Sequence, residues 1–472
     1  MRKLLCLFLL ASSTDVFAAA GESAIENTNA KFISLQNYIQ NPYATLVSGG
    51  GTKPFNESQT TNQNFAEKLF ADGTWNIQAG ASAQYTGSGA GYPNYAYGAN
   101  LFGQTGNVAG FSVGGLFTAM NPYFATQMNG YNTSASPFLP SNEQVTLSEA
   151  YLEYQHSNVI QIDAGYIGIN NSPWLSENYY NNAMAPGTTY QGILINVYLG
   201  GGWLLTGLTF NSAQTISETG FTSYTFYNKG YDYLGGTIAN NNPSVTSSGT
   251  SALGASYAAW DNQYNLRLWG YQFNNYGTLL YADNSIKFQP TKSLSFSLAA
   301  QAGTDNQLNN TNNALTNDNL GQISSNFIGV QGVISYDWFG LNLGYNNVWG
   351  PSSAYGGGAI VTPYTYGFAT DPLYTTPYMS GLADLGTAGT AYKVNPTLTF
   401  INGNLSLAPA YTNFNTVLAE WNGTQEYDFV ASYNVPQVKG LTLFGVYAYQ
   451  QVPDINSNGN TYITQLYVSY LY

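Results

Sequence analysis

The sequence predicts an all-β fold: a transmembrane antiparallel β-barrel of about 16 to 18 strands, with 18 favoured. Three observations lead there. Charged residues are 7% of the 472, against about 25% in an average soluble domain, while 44% are hydrophobic and 15% aromatic. Hydrophobicity then alternates with a period of two from Trp75 to the C-terminus, in segments of about ten residues that suit tilted barrel strands. Finally, the connections between segments are either very short or long and polar, the asymmetry of barrels with long outer loops and tight inner turns. Disorder is excluded, because unfolded chains are poor in aromatics and rich in charge.

Taken in order, residues 1–20 read as a secretory signal: Arg2 and Lys3, an apolar run from Leu4 to Leu10, then Ala18, Ala19 and Ala20. The run is too short to span a bilayer, and no later segment reaches the roughly 18 apolar residues of a membrane helix. Cys6, the single cysteine, leaves with this leader, so the mature chain has no disulfide. Residues 21–68 stand as an N-terminal extension, with a weak helical pattern over 31–40 where Phe32, Leu35 and Ile39 share a face. The barrel itself is expected over 69–472.

The first strand alternates Trp75, Ile77, Ala79, Ala81, Ala83 and Tyr85 with Asn76, Gln78, Gly80, Ser82 and Gln84. Phe111, Val113 and Phe117 repeat the pattern, as do Ile193, Ile195 and Val197, then Leu294, Phe296 and Leu298. The last strand sets Leu466, Val468, Tyr470 and Tyr472 on one face, with the aromatic ends at the membrane interface. The longest connections are 303–325 and 350–391, and short ones fall at 289–292, 338–340 and 436–440. Asn-rich tracts such as 307–319 read as neutral surface. An inward loop that narrows the lumen is expected from 120–144 or 169–188.

Charge excludes several functions. The formal net charge is −13, and −14 once the leader is gone, with arginine only at positions 2 and 267 and nine scattered lysines. No basic patch exists for nucleic acid phosphates. Outer-membrane hydrolases need a histidine beside a Ser or Asp on the barrel wall, and His156, the single histidine, falls in an expected tight turn. Glu149 and Glu153 are four strand residues apart, roughly 13 Å, too far for a glycosidase pair. Residues 49–53 lack the Gly-Lys-Ser/Thr order of a phosphate loop. With one histidine and no mature cysteine, no transition-metal site is expected, and neither are a cofactor or an enzymatic activity.

Buried charge instead marks the lumen, since Lys or Arg on the lipid face costs roughly 2 to 4 kcal/mol at the midplane. A hairpin centred at Ser157 sets Tyr151 opposite Asp163, with Glu149 and Glu153 on its diagonals at about 7 to 8 Å. A second, around Tyr276, sets Arg267 opposite Ser285, with Asp283 and Lys287 on the diagonals. The seven candidate pore-lining residues are Glu149, Tyr151, Glu153, Asp163, Arg267, Asp283 and Lys287. The carboxylates would favour cations, and the Arg267 rung either orients solutes or is a self-satisfied wall ion pair.

Several phrases carry a resemblance. Residues Leu69-Phe70-Ala71-Asp72-Gly73 and Gly110-Phe111-Ser112-Val113-Gly114 resemble the opening of OprD-family outer-membrane porins. Ser148-Glu149-Ala150-Tyr151-Leu152, Asp163-Ala164-Gly165-Tyr166, the stretch from Pro186 to Tyr190-Gln191-Gly192, and Val438-Lys439-Gly440-Leu441-Thr442-Leu443 follow in the family's order. The resemblance implies an 18-stranded barrel in the outer membrane of a Gram-negative cell. There, as a monomer or homotrimer, it passes small hydrophilic solutes such as ions, amino acids, small peptides or carboxylates through a narrow eyelet. Three departures stand out: the family's Arg and Lys ladder is missing, 21–68 has no counterpart, and the chain ends in Tyr472 where many barrels end in Phe. The competing reading is a structural surface protein, such as an S-layer or adhesin-like subunit, which is also exported, acidic and rich in Asn, Thr and Gly. Because carboxylates titrate near pH 4, the mature chain moves only toward roughly +10 in acid, and so suits an acidic medium.

Overall fold

A computed structural model describes residues 69–471, apart from 71, 88–93, 124–142, 158, 177–187, 215–218, 226, 228–245, 261, 309–319, 365–370, 380 and 454–459. The leader, the 21–68 extension and Tyr472 lie outside the described residues. Eighteen strands follow one another: β1 (Thr74–Gly87), β2 (Asn94–Gln104), β3 (Phe111–Tyr123), β4 (Gln144–His156), β5 (Ile160–Gly168), β6 (Thr189–Gly200), β7 (Trp203–Gln214), β8 (Thr250–Ala259) and β9 (Tyr264–Phe273). They continue as β10 (Gly277–Phe288), β11 (Leu294–Gln307), β12 (Ser324–Tyr336), β13 (Phe339–Trp349), β14 (Gly389–Phe400), β15 (Leu405–Thr416), β16 (Gln425–Asn434), β17 (Leu441–Gln451) and β18 (Thr461–Leu471).

Each strand pairs antiparallel with its successor, and β18 returns to β1 from Gln78↔Leu471 to Gly87↔Tyr462. Closure leaves no unpaired edge, which is the condition for strands to cross a bilayer. At one end the connections, from 105–110 to 435–440, run two to six residues. One of the two two-residue turns shows its chemistry: Gly201 and Gly202 both take positive φ, and a Cβ on Gly202 would sit 1.9 Å from the Ala258 carbonyl oxygen. At the other end connections reach 35 residues at 215–249 and 39 at 350–388, with the three-residue 274–276 an exception.

Alternation divides the wall into two surfaces. Trp75, Ile77, Leu253, Leu280, Leu298, Val330, Phe429, Leu466 and Val468 are exposed outward, forming an apolar belt. Rings border it on both sides. Near the long-loop end a file of tyrosines crosses four strands, Tyr392 to Tyr411 to Tyr427 to Tyr449, with centroids 6.0, 5.1 and 6.4 Å apart. Near the short-turn end Trp203 packs on Tyr257, and Trp338 on Phe400. Facing inward, Gln78, Gln84, Asn100, Thr118, Gln465 and Ser469 are buried.

One break in the alternation has a local cause. In β3–β4 pairing Leu116 opposes Glu149 and Phe117 opposes Leu147, so Ser148 is an extra residue, a β-bulge. Ser148 and Glu149 therefore both face inward, while Leu147 and Leu152 on either side stay exposed.

Candidate functional site

The lumen is narrowed by its own loops. The described parts of 350–388 fold back into the barrel, where Ile360, Val361, Tyr364, Leu373, Leu382 and Leu385 are almost fully buried in one cluster with inward rings of the wall. Residues 169–176 enter beside them. Trp174 packs edge-on against Tyr281 and Phe327, and Tyr190 packs on Phe210 at 4.4 Å and edge-on to Tyr364. Ser172 and Tyr271 share a hydroxyl–hydroxyl bond of 2.9 Å. Of the two connections the sequence offers as a constriction, 169–188 thus contributes its first part, while 124–142 lies outside the described residues. The larger occupant, 350–388, is marked in the sequence only by its length.

The wall holds this loop by its backbone. The Val361 N–H donates to Asp305 Oδ2 at 2.8 Å, and the Thr375 N–H to Asn346 Oδ1 at 3.1 Å. The Tyr378 N–H donates to Asp428 Oδ2 at 3.1 Å and its neighbour Met379 N–H to Glu426 Oε1. From the opposite charge, Lys393 Nζ donates to the Thr376 carbonyl. None of these anchors is among the seven candidates, although Glu426 and Asp428 alternate with outward Tyr427 and Phe429, a parity signal present in the sequence. Within the loop, Asp371 accepts from the Leu373 N–H at 2.8 Å, and burial pushes its carboxyl up to about 6.

Both predicted hairpins form, each with its register shifted. Glu153 stands directly opposite Asp163, and Tyr151 opposite Gly165, so the centre lies one residue beyond Ser157. Glu149, Tyr151, Glu153 and Asp163 all face inward and are buried. Amides and a hydroxyl knit the acids together: Gln104 and Ser112 donate to Glu153 Oε1 at 2.9 and 3.0 Å, and Gln161 Nε2 donates to Glu153 at 3.1 Å and Asp163 at 3.0 Å.

Arg267 stands opposite Asp283, not Ser285, which pairs with Asn265. The turn centres on Asn275 at φ 69, a left-handed position that asparagine tolerates, while the Tyr276 ring is fully buried with its hydroxyl 2.9 Å from Thr225 Oγ1. Arg267 Nε reaches Asp283 Oδ1 at 3.0 Å and a second nitrogen reaches Oδ2, a bidentate pair on which Tyr281 also donates at 2.8 Å. Lys287 does not join this rung; it is exposed at the short-turn end of β10. His156 is likewise exposed at the end of β4.

Neither a protein-family model nor a curated protein sequence matches the chain. Solved structures do. The chain is similar to Pseudomonas aeruginosa OpdK crystallised with vanillate, at 14% identity and a TM-score of 0.68, over 86% of this chain and 99% of that one. It is similar to P. aeruginosa OccK2 (OpdF) in complex with glucuronate, at 14% identity and a TM-score of 0.66, over 85% and 98%. A BenF-like porin from Pseudomonas fluorescens Pf-5 gives 14% identity and a TM-score of 0.67, over 85% and 99%. The likeness is one of fold, which in this chain is a closed 18-stranded antiparallel barrel.

Proposed function

We propose that this chain is a channel in the outer membrane of a Gram-negative cell, passing small hydrophilic solutes by diffusion and performing no covalent chemistry. The observation that carries the reading is the closed barrel with an apolar belt outside, buried polar groups inside, and a loop pinned across its lumen. The likeness in fold to OpdK, OccK2 and a BenF-like porin supports it. A water-soluble surface subunit fits less well, because it would have to leave a continuous apolar belt facing water.

Glu149, Tyr151, Glu153 and Asp163 form the candidate selectivity patch on the wall. Arg267 and Asp283 form a charged rung, and Lys287 sits at the inner rim. The test is conductance of the detergent-refolded chain in a planar bilayer, with Glu149→Gln, Glu153→Gln and Asp163→Asn combined in a parallel sample. Discrete channels whose cation preference falls severalfold in the triple variant are expected. A folded, heat-modifiable protein that forms no channels would sink the reading.

A further inference from the structure

Carboxylate recognition inside a pore needs a cation with donors to spare, because an anion leaving water must find its charge compensated. Among the described residues two cations lie deep in this barrel, Arg267 and Lys393. The other described lysines, Lys287, Lys292 and Lys439, are exposed at the short-turn end. Arg267 is 4% exposed and gives both Nε and a terminal nitrogen to Asp283, itself 1% exposed. Tyr281 seals the same carboxylate from the other side, and Gln301 lies 3.1 Å from the Tyr281 hydroxyl. Lys393 donates to the Thr376 carbonyl of the inward loop, with Asp371, Glu426 and Asp428 around it. Glu149, Glu153 and Asp163 face the same lumen; Gln104 and Ser112 donate to Glu153, and Gln161 donates to both Glu153 and Asp163.

We propose that Asp283 is a specificity-determining residue that takes Arg267 out of solute recognition, so that the lumen turns away small carboxylates and takes uncharged and amine-bearing solutes. The proposal rests on the channel reading above and names its solute class. It also sets this chain apart from OpdK and OccK2, crystallised with vanillate and glucuronate, both carboxylates. Geometry supplies the mechanism. A guanidinium whose Nε edge is filled by an in-register carboxylate across one rung, both of them buried in the wall, adds no net charge to the lumen. Breaking that pair on the acid side leaves the charge and removes its cancellation.

The experiment compares three sugars of one ring size, glucose, glucuronate and glucosamine, entering liposomes that carry the refolded full chain. Ion selectivity is read in a salt gradient across a planar bilayer. In the wild type, glucuronate is expected to enter roughly fivefold or more slowly than glucose, and glucosamine at least as fast as glucose. Asp283→Asn, an isosteric change, should raise glucuronate entry severalfold and move the reversal potential toward anions. Arg267→Gln combined with Asp283→Asn should cancel that gain, which a merely looser wall would not do. Wild-type entry of glucuronate as fast as glucose overturns the proposal while leaving the channel reading intact, and so does a folded Asp283→Asn variant with unchanged selectivity. Absence of any sugar or ion flux from folded protein overturns both. If Asp283→Asn does not fold, the wild-type ratio of glucuronate to glucose decides the proposal.

Discussion

Gly165 shows how far one residue controls the candidate patch. Its φ is +136, and a Cβ there would lie 2.2 Å from the Ala150 carbonyl oxygen, inside the β4–β5 ladder that sets Glu153 against Asp163. Gly165→Ala is expected to destabilise the barrel by roughly 2 kcal/mol or more, the scale of one strained backbone position. A gel-shift series should therefore show its unfolding at a lower temperature, while an exposed change such as Thr209→Ala leaves it in place. The candidate acids themselves were legible in the sequence, since parity alone puts Glu149, Glu153 and Asp163 opposite Leu152 and Ile162. Their pairing was not. A shift of the turn centre by one residue changes every cross-strand partner by two, and turn geometry is decided by which residue takes the left-handed position.

Among the elements, the inward loop 350–388 depends on the strands that receive it. Glu426 and Asp428 of β16 each accept one backbone N–H, from Met379 and Tyr378, and leaving a buried donor without its partner costs about 1 to 3 kcal/mol. Replacing both with Ala should speed amide exchange at Tyr378 and Met379 by roughly 10- to 100-fold and raise single-channel conductance. Unchanged exchange at both amides would mean that the apolar cluster, not the carboxylates, holds the loop. The bulge in β4 teaches a related lesson. The three-residue step from Leu147 to Ala150, where two would keep the alternation, is its trace in the sequence, and it lets Val145 and Leu147 face lipid while Glu149 faces the lumen.

For the whole molecule, pH acts through the buried acid of the constriction. Asp371 has its carboxyl raised from 3.8 to about 6 by burial, with the Leu373 N–H, the Thr376 hydroxyl, the Ala383 N–H and Lys393 opposing the shift. The folded state then binds more protons than the unfolded one between those values, so stability falls as pH rises through about 4 to 6. The loop should be held more firmly at pH 4.5 than at pH 7. Protection of the Leu373 amide, corrected for intrinsic exchange, is the measurement, and Asp371→Asn should flatten its pH dependence.

What the sequence by itself determined is the class of solvent each face meets. Period-two alternation, scarce charge and the contrast of short and long connections are local quantities, and together they predict a closed barrel of about 16 to 18 strands with the candidate acids inside. Tertiary structure alone decided which loop fills the lumen, which carboxylates anchor it, and that Arg267 meets Asp283 head-on. Those contacts join residues far apart in the chain, as Asp305 to Val361 and Tyr378 to Gln465, and they follow from closure of the barrel, which brings a loop from one rim against strands across the lumen.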